Sequence, residues 1–188
     1  MTLSGAVLAG GKGERMLSQD KGLMLYQSVP MALLVARVLR DVASVVFLNA
    51  NRNLDSYGAL GFDVVSDGPD YQNKGPLSGL LACLVFANTS HLLISPCDTP
   101  CISRDAFVRL EEASKVFPDR IQYLADGFGG HPLHAILPVE SSLACLKRFL
   151  DKGERYSVMA FYEAFGCDSV LWDKSEELLN VNTPDLLS

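Results

Sequence analysis

The chain has 188 residues, 48% of them apolar and 20% charged, with a formal net charge of −6. That balance excludes a disordered chain and argues against a broad basic face for nucleic acid. No apolar run approaches the roughly 18 residues that span a bilayer, and no basic segment followed by an apolar stretch precedes the first strand-like run. A cytoplasmic protein that engages neither nucleic acid nor membrane is therefore expected; a monomer is also expected, though composition does not fix the oligomeric state. Its five cysteines, Cys83, Cys97, Cys101, Cys145 and Cys167, are an odd number without framework spacing and are expected to be reduced, structural thiols.

In chain order, apolar β-rich runs predict strands over 5–8, 44–48, 62–65 and 91–95. Apolar residues at helical spacing predict helices over 30–42 and 75–87, the second with Pro76 at its first turn, where a missing N–H is harmless. The second half predicts strands over 121–125 and 133–137 and helices over 103–116, 141–150 and 157–165. Strand and helix in alternation imply a mostly parallel sheet covered on both faces, a single-domain three-layer α/β/α architecture.

Open α/β sheets bind ligands beyond the carboxyl ends of their strands. After the first strand the sequence runs Leu8-Ala9-Gly10-Gly11-Lys12-Gly13-Glu14-Arg15-Met16, then Asp20-Lys21. Such a glycine-rich turn brings bare backbone N–H groups to an anion, and Arg15 and Lys21 add two cations. It is not a dinucleotide fingerprint, whose third glycine is replaced by Met16. Nor is it a P-loop, because Gly11-Lys12 is followed by Gly13.

Further chemistry falls after the later strands. Asn49-Ala50-Asn51-Arg52 follows the second, where the amides serve either a ligand or a turn. Asp67 follows the third and either accepts hydrogen bonds from a ribose or base or merely turns the chain. Asp98, between Pro96 and Pro100, follows the fourth. It is a candidate Mg²⁺ ligand, since a hard dication takes a few carboxylate oxygens plus phosphate and water. The alternative is a cap for the helix beginning near Ser103. Gly79, early in the next helix, permits close approach of a neighbouring backbone or ligand. Asn180 and Asn182 precede Pro184 and read either as a capping turn or as part of a site. His131 and His134, with two residues between them, are expected on one side of a strand. Without a third ligand zinc is not expected, and His131 either touches a substrate or caps a loop.

The stretches Leu8-Ala9-Gly10-Gly11, Arg15-Met16, Asp20-Lys21-Gly22-Leu23, Asn49-Ala50-Asn51-Arg52, Gly75-Pro76-Leu77-Ser78-Gly79, Pro96-Cys97-Asp98-Thr99-Pro100 and Asn180-Val181-Asn182-Thr183-Pro184 occur in this order. Together they resemble the molybdenum cofactor guanylyltransferase family over essentially the whole chain. The resemblance implies a Rossmann-like nucleotidyltransferase fold and transfer of GMP from Mg-GTP to the terminal phosphate of molybdenum-loaded molybdopterin, with release of pyrophosphate. It places Leu8, Ala9, Gly10, Gly11, Asn49, Asp67 and Gly79 around GTP, and Arg15 and Lys21 on the phosphates. Asp98 takes Mg²⁺ as metal ligand and is catalytic together with Arg15 and Lys21, while Arg155, Asn180 and Asn182 lie on the acceptor side, or Asn182 instead helps position the metal. Receiving molybdoenzyme apoproteins, or their chaperones, are the implied partners.

One shared motif favours GTP over CTP, and two features depart from the family pattern. Related pterin cytidylyltransferases tend to carry Leu-Ala-Ala-Gly where this chain has Leu-Ala-Gly-Gly. The family usually has glycines at Leu17 and Ser18, and Gly-x-Pro-Leu where Ser28-Val29-Pro30-Met31 stands. The bulkier loop is expected to be stiffer, with its charged residues kept. A sibling nucleotidyltransferase, acting on a sugar phosphate or using CTP on the same pterin, and a noncatalytic binding or carrier module are the competing readings.

Overall fold

The computed structural model describes residues 1–10, 20–71, 74–153 and 156–181. In chain order the elements are β1 (Leu3–Leu8), β2 (Leu25–Tyr26), β3 (Val29–Pro30), α1 (Met31–Arg40), β4 (Val45–Asn49), α2 (Leu54–Gly58), β5 (Asp63–Val65) and α3 (Pro76–Phe86). They continue with β6 (His91–Pro96), α4 (Arg104–Val116), β7 (Ile121–Asp126), β8 (Gly129–Pro138), α5 (Val139–Lys152), α6 (Val158–Phe165) and β9 (Cys167–Leu171).

Seven strands form one sheet in the order β5-β4-β1-β6-β8-β7-β9, and β2 pairs with β3 in a separate hairpin. Only β8 runs against its neighbours in the large sheet, pairing antiparallel with β6 and β7. Alternation along each strand splits the core in two. Val7, Leu48, Leu93 and Ile136 face α1 and α4, which supply Val35, Leu39, Phe107 and Leu110. Ala6, Phe47, Leu92, Ile94 and Leu137 face α3, α5 and α6, which supply Leu80, Leu84, Leu146 and Phe161. The three-layer α/β/α expectation is met. Two core helices differ in kind: α1 buries one stripe (Met31, Ala32, Val35, Ala36, Leu39), whereas α3 is buried over nearly its whole length, from Leu77 to Leu84.

Several boundaries move for identifiable reasons. The first helix begins at Met31, not at residue 30, because Pro30 closes the β2–β3 hairpin against Leu25. The strand expected over 133–137 runs from Gly129 to Pro138, and α5 extends beyond the expected 141–150 at both ends. The hairpin, α2 and β9 were not expected at all. The first two are very short, and β9 is an edge strand in which only Val170 is buried. β9 is tied to β7 by a bidentate pair in which Arg120 Nε and Nη2 donate to Asp168 at 2.5 and 3.0 Å.

Strand β8 carries a bulge. Tyr123 pairs with Ala135 but the next residue, Leu124, pairs with His131, so residues 132–134 are extra to the ladder. In a regular strand His131 and His134 would face opposite sides. The two histidines are three positions apart, so the strand period does not support the one-sided expectation; across the bulge their rings lie 6.3 Å apart.

Candidate active site

The parallel strands end level with one another: Leu8 pairs with both Asn49 and Pro96, and Asn49 with Val65. The ladder carries on into the loops, where Ala9 N donates to Asn49 O at 2.9 Å, Cys97 N to Leu8 O at 3.1 Å and Ala50 N to Val65 O at 3.0 Å. Four chemistry-bearing loops thus leave the sheet from one edge. They enclose a cleft of about 940 Å³ whose walls include Leu8, Ala9, Gly10, Lys21, Asn49, Asp67, Gly79 and Asp98.

Asn49 organises one wall. Its amide nitrogen donates to Val65 O at 3.1 Å and to Asp67 Oδ1 at 2.9 Å. Asn51 Oδ1 accepts from Asp67 N at 2.8 Å, and Asn51 Nδ2 reaches Gly10 O at 3.4 Å. These bonds join the loops after β1, β4 and β5. The glycines beside them are required by contact: a Cβ on Gly79 would stand 2.3 Å from Asn49 Oδ1, and one on Gly10 would stand 2.9 Å from Asn51 Nδ2. Close approach at Gly79 was expected; the group that approaches is a side chain.

Opposite lies the charged pair. Lys21 Nζ donates to Asp98 Oδ2 at 3.3 Å, and the Asp98 side chain is only 14% exposed. The turn bearing Asp98 is fixed on three sides. Thr99 Oγ1 bonds His134 Nε2 at 3.0 Å, Cys97 N is held by Leu8, and Val181 N donates to Asp98 O at 2.8 Å. His134 is neutral, because burial lowers its pKa to about 3. The capping alternative for Asp98 fails: Ser103 occupies the N-cap of α4, and the Ser103 hydroxyl donates to Glu177 at 2.5 Å.

Among the described residues no three His, Cys, Asp or Glu side chains converge as a metal cluster. A cleft-lining carboxylate beside a lysine suits a cation that takes most of its oxygens from phosphate and water, as Mg²⁺ does. The pair His131–Asp126, at 3.1 Å, braces the β7–β8 turn, where Asp126 Oδ1 also accepts from Phe128 N and Gly129 N. His131 therefore serves a loop. Cys83 and Cys97 are buried and their thiols are pushed up in pKa by that burial, as befits structural residues.

Not every expected residue can be placed. Gly11, Arg15, Leu17, Ser18, Arg155 and Asn182 lie outside the described residues. Asn180 is exposed and is not part of the cleft wall, although its neighbour Val181 is bonded to the Asp98 turn. Conversely, Asp20, Arg52 and Leu133 line the cleft without having been assigned a role. Asp20 and Arg52 stood within quoted motifs; Leu133 enters only through the bulge, which leaves no local signal.

A mostly parallel α/β sheet with a lysine, an aspartate and paired amides over its carboxyl edge defines an α/β protein with a ligand cleft beyond the strand ends. The MobA-like NTP transferase domain matches residues 5–165. Molybdenum cofactor guanylyltransferases of Haemophilus influenzae (strain ATCC 51907) and Ralstonia nicotianae are each 35% identical, covering 98% and 96% of this chain and 95% and 92% of those proteins. The crystal structure of molybdopterin-guanine dinucleotide biosynthesis protein A from Archaeoglobus fulgidus shares the fold, with a TM-score of 0.77 at 18% identity over 98% of this chain and 94% of that one. The chain belongs to the MobA-like NTP transferases and, within them, to the molybdenum cofactor guanylyltransferases. Among the described residues, no helix is long and apolar enough to cross a membrane.

Proposed function

We propose that the protein transfers GMP from GTP to the terminal phosphate of molybdenum-loaded molybdopterin, forming the guanine dinucleotide cofactor and releasing pyrophosphate. The observation that carries this reading is the Lys21–Asp98 pair, 3.3 Å apart in the wall of the cleft, in a chain of this family. The attacking group is a phosphate oxygen, already anionic at pH 7, so no residue need remove a proton. The obstacle is the approach of one anion to another.

Lys21 offers an ammonium to the triphosphate and to the departing pyrophosphate, and Arg15 adds a second cation in the family pattern. Asp98 is the residue that would hold Mg²⁺, which when bound supplies the remaining charge neutralisation. Asn49, Asn51 and Asp67 form the nucleoside side of the cleft. Arg155, Asn180 and Asn182 belong in this reading to the acceptor side, and the product passes to molybdoenzyme apoproteins or their chaperones.

Guanine over cytosine is favoured by position 10. Where cytidylyltransferases tend to carry alanine, this chain has Gly10, and the space of a methyl group there is taken by the Asn49 and Asn51 amides.

Asp98→Ala should abolish Mg-dependent pyrophosphate release with the fold kept. Lys21→Ala should slow it about a hundredfold, on the order of 3 kcal/mol of lost transition-state stabilisation. Near-normal turnover in either variant removes that residue from the reaction.

A further inference from the structure

We infer that Tyr57 is a positioning residue for the phosphate-binding turn, acting through Asp20 on Lys21; the inference rests on the role proposed above for Lys21. Asp20 is an anion in the wall of a cleft meant for phosphates, which by itself would repel the ligand. Its side chain is nevertheless only 6% exposed, and both its oxygens are engaged by one segment of chain. The Tyr57 hydroxyl donates to Oδ1, Asn53 Nδ2 donates to Oδ2 at 3.1 Å, and Arg52 Nε lies 4.0 Å from Oδ2. The Asp20 carboxylate is thereby held by two hydrogen bonds, with a guanidinium nearby. It differs in this from Asp98, whose carboxylate is directed to Lys21.

The same tyrosine touches the other side of the lysine. Residues Lys21–Leu23 form a single tight turn, closed by Leu23 N donating to Asp20 O at 3.0 Å and Met24 N to Lys21 O at 3.1 Å. A Cβ on Gly22 would stand 2.4 Å from the Tyr57 hydroxyl oxygen and 3.1 Å from its ring. Lys21 is therefore flanked by two residues that both rest on Tyr57, one by hydrogen bond and one by contact.

Tyr57 itself is fully buried. It reaches this place because Asn53 takes a left-handed conformation, φ 52°, before the five-residue α2. Asparagine tolerates that region better than most residues. Burial and the Asp20 bond push the Tyr57 hydroxyl up in pKa, so it remains a donor. The chemistry gained is preorganisation: the ammonium meets the triphosphate from a fixed turn whose neighbouring carboxylate is already satisfied.

The test removes one oxygen. In Tyr57→Phe, kcat/KM for GTP should fall about tenfold, the scale of a hydrogen bond to a charged group, while KM for the pterin acceptor stays within about twofold. Asp20→Asn should give a similar loss, and the double variant should be no worse than either single one, because the two act as one unit. In a Lys21→Ala background the Tyr57→Phe change should have no further effect on GTP. A kcat/KM for GTP within about twofold of wild type, or an undiminished loss without Lys21, overturns the inference. If Tyr57→Phe fails to fold, Asp20→Asn carries the same readout against Lys21→Ala. Should wild type show no transfer at all, the proposed reaction fails. Mg-dependent protection by GTP against thermal unfolding then still reads Tyr57, with weaker protection expected in Tyr57→Phe and equal protection contradicting it.

Discussion

His134 holds the Asp98 turn as an uncharged group, and that has a consequence for stability. Burial lowers its pKa from the ordinary 6.5 to about 3, so the folded chain keeps it neutral while the unfolded chain takes up a proton below about pH 6.5. A depressed folded-state pKa gives stability that is fully present above 6.5 and lost as the pH falls towards 3. At about 1.4 kcal/mol per pH unit, the loss between pH 6.5 and pH 5 is about 2 kcal/mol. Urea unfolding at pH 7 and pH 5 should show this loss in wild type and a smaller one in His134→Gln; equal losses would remove His134 as the cause. At this scale, legibility divides by chemistry. Lys21 and Asp98 were readable because charged residues at strand ends stand out beside prolines and glycines. The Asp20–Tyr57 bond joins residues 37 apart in the chain, and the Thr99–His134 bond residues 35 apart, so no local pattern announces either.

Among the elements, the β2–β3 hairpin explains one departure from the family pattern. Its two loop residues, Gln27 and Ser28, both have positive φ, 48° and 67°. Two-residue hairpin loops favour that conformation, and glycine adopts it without the steric penalty of a Cβ. The glycine that the family resemblance implies at position 28 would suit this backbone, which serine adopts under strain. Ser28→Gly should stabilise the fold by about 0.5–1 kcal/mol, read as a higher urea midpoint with unchanged slope; a lower midpoint would contradict the strain. The hairpin itself was hidden because its strands are two residues long and Pro30 reads equally as a helix start. The long elements were legible for the converse reason. α1 carries a buried stripe at helical spacing, and β6 is buried along its whole length between two strands. β9 has no such run and gains its place from Arg120 and Gln122, whose side chains donate to Asp168.

Over the whole molecule, the sheet order puts β5, β4 and β1 under the loops that wall the cleft and β8 and β7 on the other side of β6. The parallel half was legible because buried parallel strands read as continuous apolar runs. The reversal of β8 and its bulge were not, since strand direction and an extra loop of residues are settled by packing against β6 and β7. The two halves meet at Asp98, just past the end of β6, so the reaction proposed for this chain requires a nucleotide and a phosphate acceptor to meet over that residue. The direct measurement is pyrophosphate release by the purified protein with molybdenum-loaded molybdopterin and Mg²⁺, comparing GTP with CTP. Release with GTP, accompanied by the guanine dinucleotide product and on the order of a hundredfold or more faster than with CTP, is the predicted result. Equal or faster release with CTP, or none with GTP, would contradict it.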